Sequence, residues 1–477
     1  MALTDKNTSV QLISLGCAKN TVDSEEILGL LARAGCQVRN AGDAADVVIL
    51  NTCGFIEAAK QESVDRILEA LERKRKGEVG RVVVAGCLAQ RYAEELAREM
   101  PEIDAVLGTG RMADVPAVVL GHAEADRGAL PTVPLYISER PHHAWVDSRV
   151  RLRSTAPWTA YLKISEGCDH QCTFCAIPSF RGPHVSKPME QVLDEARWLA
   201  DQGVREINLI AQDTTQYGFD LEGRCLLPEL LEALAGIEPV RWIRLFYCYP
   251  SRVNERLIEA IANTPKVCQY IDMPLQHADP GVLRAMRRPM DGDAYLRLLD
   301  RFRAASPEVA IRTTLIVGFP GETEPAFENL LRFVEKAAFD RLGVFEYSPE
   351  EGTAAFAMPG RVPARVKRAR RARLMEAQQR ISLDRHRTLI GREMEVLVET
   401  PAQRSGANGH ARDRRQLQSD KAALRNLARG RTYRDAPEID GQVYLTSCSA
   451  EPGTFVRARV TRALPYDLVA EVLPTGL

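Results

Sequence analysis

Three cysteines in one short loop, Cys168-Asp-His-Gln-Cys172-Thr-Phe-Cys175, are the residues best suited to chemistry. A C-x3-C-x2-C spacing can wrap three thiolates around three corners of a cubane iron–sulfur cluster, for which thiolate is the usual ligand. No fourth cysteine follows nearby, so one iron would keep an open coordination position. Structural zinc sites are instead closed by four ligands, usually in closely spaced cysteine pairs. His170 could complete a zinc site, but between two ligands it is poorly positioned to reach the same ion. Unligated core cysteines are the remaining alternative.

Cys17, Cys53 and Cys87 stand apart, with 35 and 33 residues between them, so spacing alone says little. Each follows directly on an apolar run: LISLG-Cys17, VVILNT-Cys53, VVVAG-Cys87. In a parallel sheet the C-terminal strand ends share one edge, where ligands bind. Three cysteines on such ends can converge, and Gly16, Gly54 and Gly86 would let backbone approach a bulky cofactor closely. The reading is a second iron–sulfur cluster, again with an open iron; the alternative is three buried cysteines at strand ends. Cys36, Cys225, Cys248, Cys268 and Cys448 have no grouped spacing and read as small packed hydrophobes. His142, His143, His184 and His277 read as solvated or hydrogen-bonded structural residues.

These cysteines sit in an ordinary globular chain of 477 residues, enough for about three domains. Lys+Arg 63 against Asp+Glu 64 excludes a chain basic throughout. No apolar run is long enough to span a bilayer, and the start, MALTDKNTSVQLISLGC, lacks the features of a secretory signal. A cytoplasmic location and no membrane partner are expected. Eleven cysteines, odd in number and scattered, do not make a disulfide scaffold. In a reducing compartment such residues ligate metal or do redox chemistry.

The elements that must position the cysteines follow from periodicity. In residues 1–120, VQLISL, VVIL and RVVVA read as buried strands, with helices over Asp23 to Ala34 and Glu57 to Arg75, hence a parallel α/β sheet. Residues 121–156 lose that rhythm and read as a linker. Within 157–390, TAYLKI, EINLIAQ, RWIRLFY, YIDMPL, IRTTLIVGF and RLGVFEYS read as six strands of a full or partial α/β barrel, with the site at their C-terminal ends. Residues 361–388 carry ten Lys/Arg against two acids and read as a helix with a basic outer face, with Leu374, Ala377 and Ile381 inward. Residues 391–477 turn to short strands, MEVLVE, QVYLTS, TFVRARVTRAL and LVAEVL, which fit a small all-β barrel. The stretch 401–434, with nine Lys/Arg and two Asp, reads as a loosely ordered basic insertion.

The cysteine spacing, Phe174 just before the third cysteine and the position after a first barrel strand resemble the radical S-adenosylmethionine (SAM) enzymes. Further stretches narrow this: SLGCAKNTVDSE, NTCGFIEAAKQES and GCLAQRY, then EGCDHQCTFCAIPSFRG, AQDTTQYG, RLFYCYP, YIDMPLQH, RTTLIVGFPGET, FDRLGVFEYSPEEGT and YRDAPEIDGQVYL. With these the whole chain resembles the radical SAM methylthiotransferase family, in which an N-terminal cluster domain, a partial TIM-type radical SAM barrel and a C-terminal TRAM barrel follow one another. It looks like the branch that modifies an aspartate of the ribosomal protein S-twelve (uS12). The transfer-RNA branch reads more like YGCQMN at the first cysteine. The long basic insertion departs from the short hairpin loop usual in such TRAM domains.

The resemblance implies two 4Fe–4S clusters, on Cys168, Cys172 and Cys175 and on Cys17, Cys53 and Cys87, and two molecules of SAM. One SAM gives a methyl group to sulfur at the auxiliary cluster. The other yields a 5′-deoxyadenosyl radical that removes hydrogen from the aspartate β-carbon. Backbone near Phe174 would contact adenine, and Gln212, Asp213 and Gly318 would hold methionine and ribose. Implied partners are uS12, free or in the small subunit, an electron donor and a sulfur source. No catalytic carboxylate or histidine is required. The rival readings are a transfer-RNA adenosine methylthiotransferase and a zinc-dependent RNA-binding protein with a TRAM barrel.

Overall fold

Uniformly apolar runs, too continuous for a half-exposed sheet, make strands buried on both faces. The computed structural model describes residues 8–40, 42–123, 133–139, 141, 145–402 and 424–474. The chain divides into two units, one of Met1–Gln202, Ile207–Ile237 and Ser348–Met358, the other of Gly203–Glu206, Glu238–Tyr347 and Pro359–Leu477.

In the first unit, β1 (Ser9–Ser14), β2 (Gln37–Val38), β3 (Ala45–Thr52), β4 (Val79–Gly86), β5 (Ala105–Leu107) and β6 (Leu135–Tyr136) form a parallel sheet in the order β2-β1-β3-β4-β5-β6. Val48, Leu50, Val82 and Val84 pack on one face, Val47, Ile49, Val83 and Ala85 on the other. The helix Glu57–Arg75 starts with an acid and ends Arg73-Lys74-Arg75, each favourable to the helix dipole. The helix expected from Asp23 begins at Ala18, directly after Cys17. The stretch read as a linker supplies β6, and buries Arg151 against Glu25 and Glu195.

Further along this unit, β7 (Thr159–Lys163) lies beside β10 (Glu206–Ile210). Between them, β8 (Ser165–Glu166) and β9 (Val185–Ser186) pair antiparallel and close the base of the loop that carries Cys168, Cys172 and Cys175. In the second unit, β11 (Trp242–Leu245), β12 (Val267–Gln276), β13 (Ala310–Val317) and β14 (Arg341–Glu346) run parallel in sequence order, with helices Glu255–Asn263, Gly292–Ala305 and Glu324–Ala337 between or after them. All six strands expected between Thr159 and Ser348 form.

The helix Ala364–Arg387 turns Leu374 and Ala377 inward, as its pattern predicts. Its basic residues are not all outward: Arg370 is buried against Glu322, and Arg385 meets Asp340. After it, β15 (Glu393–Thr400), β16 (Ala428–Arg431), β17 (Val443–Thr446), β18 (Phe455–Ala463) and β19 (Leu468–Val472) close a barrel in the order β15-β16-β17-β19-β18. Val396, Val398, Val443, Leu445, Val460 and Ala470 fill it. Closure leaves no free edge.

Here the structure corrects the sequence. Residues 403–423 of the expected insertion lie outside the described residues, but β16 is a barrel strand within it. Arg431 and Arg434, counted in the loosely ordered basic insertion, are buried. Glu206 explains why Arg431 goes inside. Its buried carboxylate accepts from Arg431 at 3.1 and 2.6 Å and from Arg244 at 3.2 Å through each of two nitrogens. No helix among the described residues is long and apolar enough to cross a membrane.

Removing one member of a buried charge cluster strands the others, at a cost of about 3–5 kcal/mol. Glu206→Gln is therefore expected to lower the unfolding free energy read from urea denaturation by an amount in that range, and with it the midpoint. An unchanged midpoint would show that Glu399, the other acid on Arg431, suffices alone.

Candidate functional site

Because β1, β3 and β4 are adjacent and parallel, their C-terminal ends share an edge; Cys53 and Cys87 follow those ends directly, and Cys17 comes three positions after Ser14. Cys17 precedes the helix Ala18–Arg33 and Cys87 opens the helix Cys87–Arg91. Ser63 pins Cys53, its hydroxyl accepting from the Cys53 N–H at 3.1 Å and donating to the Cys53 carbonyl at 3.0 Å. The glycines act differently from expectation. A Cβ on Gly16, where φ is +95°, would lie 2.7 Å from Cys53 Cβ, and one on Gly54 would lie 2.8 Å from Leu88 Cα. Their missing side chains let one cysteine loop pack on the next, so the space is taken by neighbouring strand ends.

Cys168, Cys172 and Cys175 occupy the loop closed by β8 and β9. The Cys168 N–H donates to the Gly182 carbonyl and the Cys175 N–H to the Cys172 carbonyl, each at 3.1 Å. Asp169 accepts from the His184 N–H at 3.0 Å, and the Ala355 N–H donates to the Thr173 carbonyl at 2.8 Å. His170 Nε2 lies 2.7 Å from the Asp213 carboxylate, which also accepts from the Thr215 N–H at 2.9 Å.

The structure draws Gln212 and Asp213 to this loop. Asp213 is already engaged by His170 and Thr215. Gln212 donates to Glu166, whereas its Oε1 is buried and accepts no hydrogen bond among the described residues. Gln216 repeats the pattern: its amide donates to Asp169 and its Oε1 is buried without a donor. Two such acceptors suit a ligand that carries N–H or O–H groups. Phe174 is half-buried. Gly318 belongs to the second unit, where φ is +76° and its open side faces the Lys367 stem; the Glu322 carboxylate accepts from its N–H.

Pattern reading missed a buried network beside the Cys87 thiol. Arg181, on the short helix after the cysteine loop, donates to Cys87 Sγ from Nε at 3.3 Å and from Nη2 at 3.2 Å. It also reaches Asp23 at 2.8 Å, Glu166 at 3.2 Å and Asn20 at 2.5 Å. Lys163 bonds Asp23 and lies 3.1 Å from Glu166. Burial raises the Asp23 carboxyl, but Lys163 and Arg181 outweigh it and hold the pKa below the usual range. Burial likewise works against the Lys163 ammonium, and Asp23 and Glu166 drive its pKa above the ordinary value. The signal was present: Lys163 and Glu166 are charges inside the run TAYLKISEG.

The remaining candidates are structural. His184 Nε2 lies 3.0 Å from Ser186 Oγ. His277 accepts from the Asp279 N–H at 3.0 Å, and burial lowers its pKa to about 3. Cys36, Cys248 and Cys268 are buried, and Cys225 and Cys448 partly so. His142 and His143 lie outside the described residues.

The donor chemistry of both trios fits thiolate ligation of iron. Burial pushes the Cys87 and Cys168 thiols up to about 12 and raises Cys53, so without metal these are neutral thiols. Binding a metal would displace their protons. Among the described residues no three His, Cys, Asp or Glu side chains are gathered around a single ion. A cubane makes a different demand, since each thiolate goes to its own iron.

Three family models match the chain: Uncharacterized protein family UPF0004 over residues 9–108, the Radical SAM superfamily over 162–334 and the TRAM domain over 390–473. A Geobacter sulfurreducens protein named ribosomal protein uS12 methylthiotransferase RimO is 46% identical over 471 residues, 99% of this chain and 100% of its own. A protein of the same name from Anaeromyxobacter sp. (strain Fw109-5) is 47% identical over 466 residues, 98% of this chain and 93% of its own. Among solved structures, the radical SAM methyltransferase TsrM from Kitasatospora setae, with cobalamin and a 4Fe–4S cluster bound, aligns with a TM-score of 0.55 at 16% identity, over 73% of this chain and 77% of its own. That likeness speaks to the fold alone. The chain thus has an N-terminal parallel α/β domain, a radical SAM domain and a closed TRAM barrel.

Two single substitutions should separate the trios. Cys172→Ala is expected to abolish formation of 5′-deoxyadenosine while iron bound at the N-terminal cysteines remains. Cys53→Ala should leave reductive cleavage of SAM intact and stop methylthio transfer. Wild-type deoxyadenosine formation by the first, or full product formation by the second, would remove that cysteine from the site.

Proposed function

The chain belongs to the ribosomal protein uS12 methylthiotransferase family, and we propose that it attaches a methylthio group to the β-carbon of an aspartate of that protein. The observation that carries this reading is near-complete, near-half identity to proteins of that name. Cys168, Cys172 and Cys175 would hold a radical-generating 4Fe–4S cluster, and Cys17, Cys53 and Cys87 an auxiliary one. When bound, the two clusters supply an electron with an open iron for SAM and a resting position for the transferred sulfur.

The chain's own residues do the rest. Thiols at three adjacent strand ends give up their protons on ligation, and Gly16 lets two of those ends close on each other. Gln212 and Gln216 offer unfilled acceptor oxygens beside the cysteine loop, suited to the amino group or ribose hydroxyls of SAM. Asp213, already engaged by His170 and Thr215, supports the loop and is not assigned a ligand contact. Phe174, half-buried between two of the cysteines, is the candidate contact for adenine. Gly318 is a weaker candidate, since the Lys367 stem covers it. Further partners in this reading are an electron donor and a sulfur source, and the reaction takes place in the cytoplasm. Most basic residues of the helix 364–387 are exposed and Arg370 is buried, while Arg431 of β16 is buried, so basic surface does not decide between uS12 and a transfer-RNA substrate.

Intact mass of uS12 from cells with and without this gene tests the reading. Loss of one methylthio group from uS12 in the deletion strain is the expected result. An unchanged uS12 mass together with loss of a methylthio group from transfer RNA would move the chain to the other substrate.

A further inference from the structure

One dipeptide touches both cysteine trios. The Gly182 carbonyl accepts from the Cys168 N–H at 3.1 Å. The residue before it, Arg181, sends its side chain the other way, with two N–H groups on the Cys87 sulfur at 3.3 and 3.2 Å. That side chain is 3% exposed, so its charge is not screened by water. Its other N–H contacts are Asp23, Glu166 and Asn20. Asp23 and Glu166 balance Lys163 and Arg181 within the network, leaving it neutral before any cluster binds.

We infer that Arg181 is a positioning residue that raises the reduction potential of the auxiliary cluster through its two N–H bonds to the Cys87 sulfur. The inference rests on the proposed role of Cys17, Cys53 and Cys87 as ligands. Hydrogen bonds to ligand sulfur, and positive charge held near it, favour the more negative, reduced state of an iron–sulfur cluster. The proposed reaction has a use for this. Joining a carbon-centred radical to a methylthiolate forms one C–S bond from three electrons, so one electron is left over. An auxiliary cluster held by Cys17, Cys53 and Cys87 would take that electron without breaking a further bond, and the Arg181 guanidinium would meet the added negative charge.

The test isolates each cluster. In Cys172→Ala only the auxiliary cluster remains; in Cys53→Ala only the radical-generating one. Each is prepared with and without Arg181→Lys, which keeps the charge but loses the two-pronged contact, and titrated anaerobically with dithionite while the reduced cluster is followed by electron paramagnetic resonance. Arg181→Lys is expected to shift the midpoint to more negative potential in the Cys172→Ala background and leave it in place in the Cys53→Ala background. Asn20→Asp, which sets a carboxylate on the guanidinium and competes for it, should move the auxiliary midpoint the same way and decides the matter if the lysine variant does not fold. An unchanged auxiliary midpoint would overturn the inference. So would loss of auxiliary iron from a folded Arg181→Lys protein, which would assign Arg181 to cluster assembly. If Cys172→Ala itself holds no iron, the ligand reading of the N-terminal cysteines fails instead, because Arg181 is untouched in that protein.

Discussion

Four charged side chains share a dry pocket in the first unit, and they can do so only because they neutralise one another. Lys163 and Arg181 would be costly to bury alone, as would Asp23 and Glu166. Together they satisfy each other's hydrogen bonds and leave Arg181 with donors to spare for the Cys87 sulfur. The four residues come from the first helix, β7, β8 and the helix that follows the cysteine loop. The network therefore ties the edge of the parallel sheet to the loop that carries the second trio. Moving either one would leave charge unpaired in low dielectric.

Within that constraint the two trios are delivered by different means. Cys168, Cys172 and Cys175 come from one loop, closed at its base by the short β8–β9 pair and braced by Asp169 and Asp213. Cys17, Cys53 and Cys87 come from three strand ends and depend on the register of a whole sheet. Local sequence makes the first; long-range topology makes the second. Small residues at the strand ends serve the topology, since a side chain on Gly16 would push two cysteine loops apart.

That difference explains what sequence reading could reach. The C-x3-C-x2-C loop is a local pattern, and the strand before each dispersed cysteine shows as an apolar run, so the place of both trios in the fold was legible. The polar network was not, because its members lie far apart in the chain: 140 positions separate Asp23 from Lys163 and 94 separate Cys87 from Arg181. Strand β6, with two residues, is too short to show a period. Strand β16 reads Ala-Arg-Gly-Arg and carries no apolar alternation. Its Arg431 is interior because Glu206, more than two hundred positions away, neutralises it, and counting charges along the chain does not show that pairing.

In the proposed enzyme two separate cysteine trios each hold a four-iron cluster. Iron and acid-labile sulfide per chain, measured on anaerobically reconstituted protein and on the two triple-alanine variants, test it most directly. About eight of each are expected in the wild type and about four in either variant. Zinc in place of iron, or a triple variant that keeps the full wild-type iron and sulfide, would contradict it.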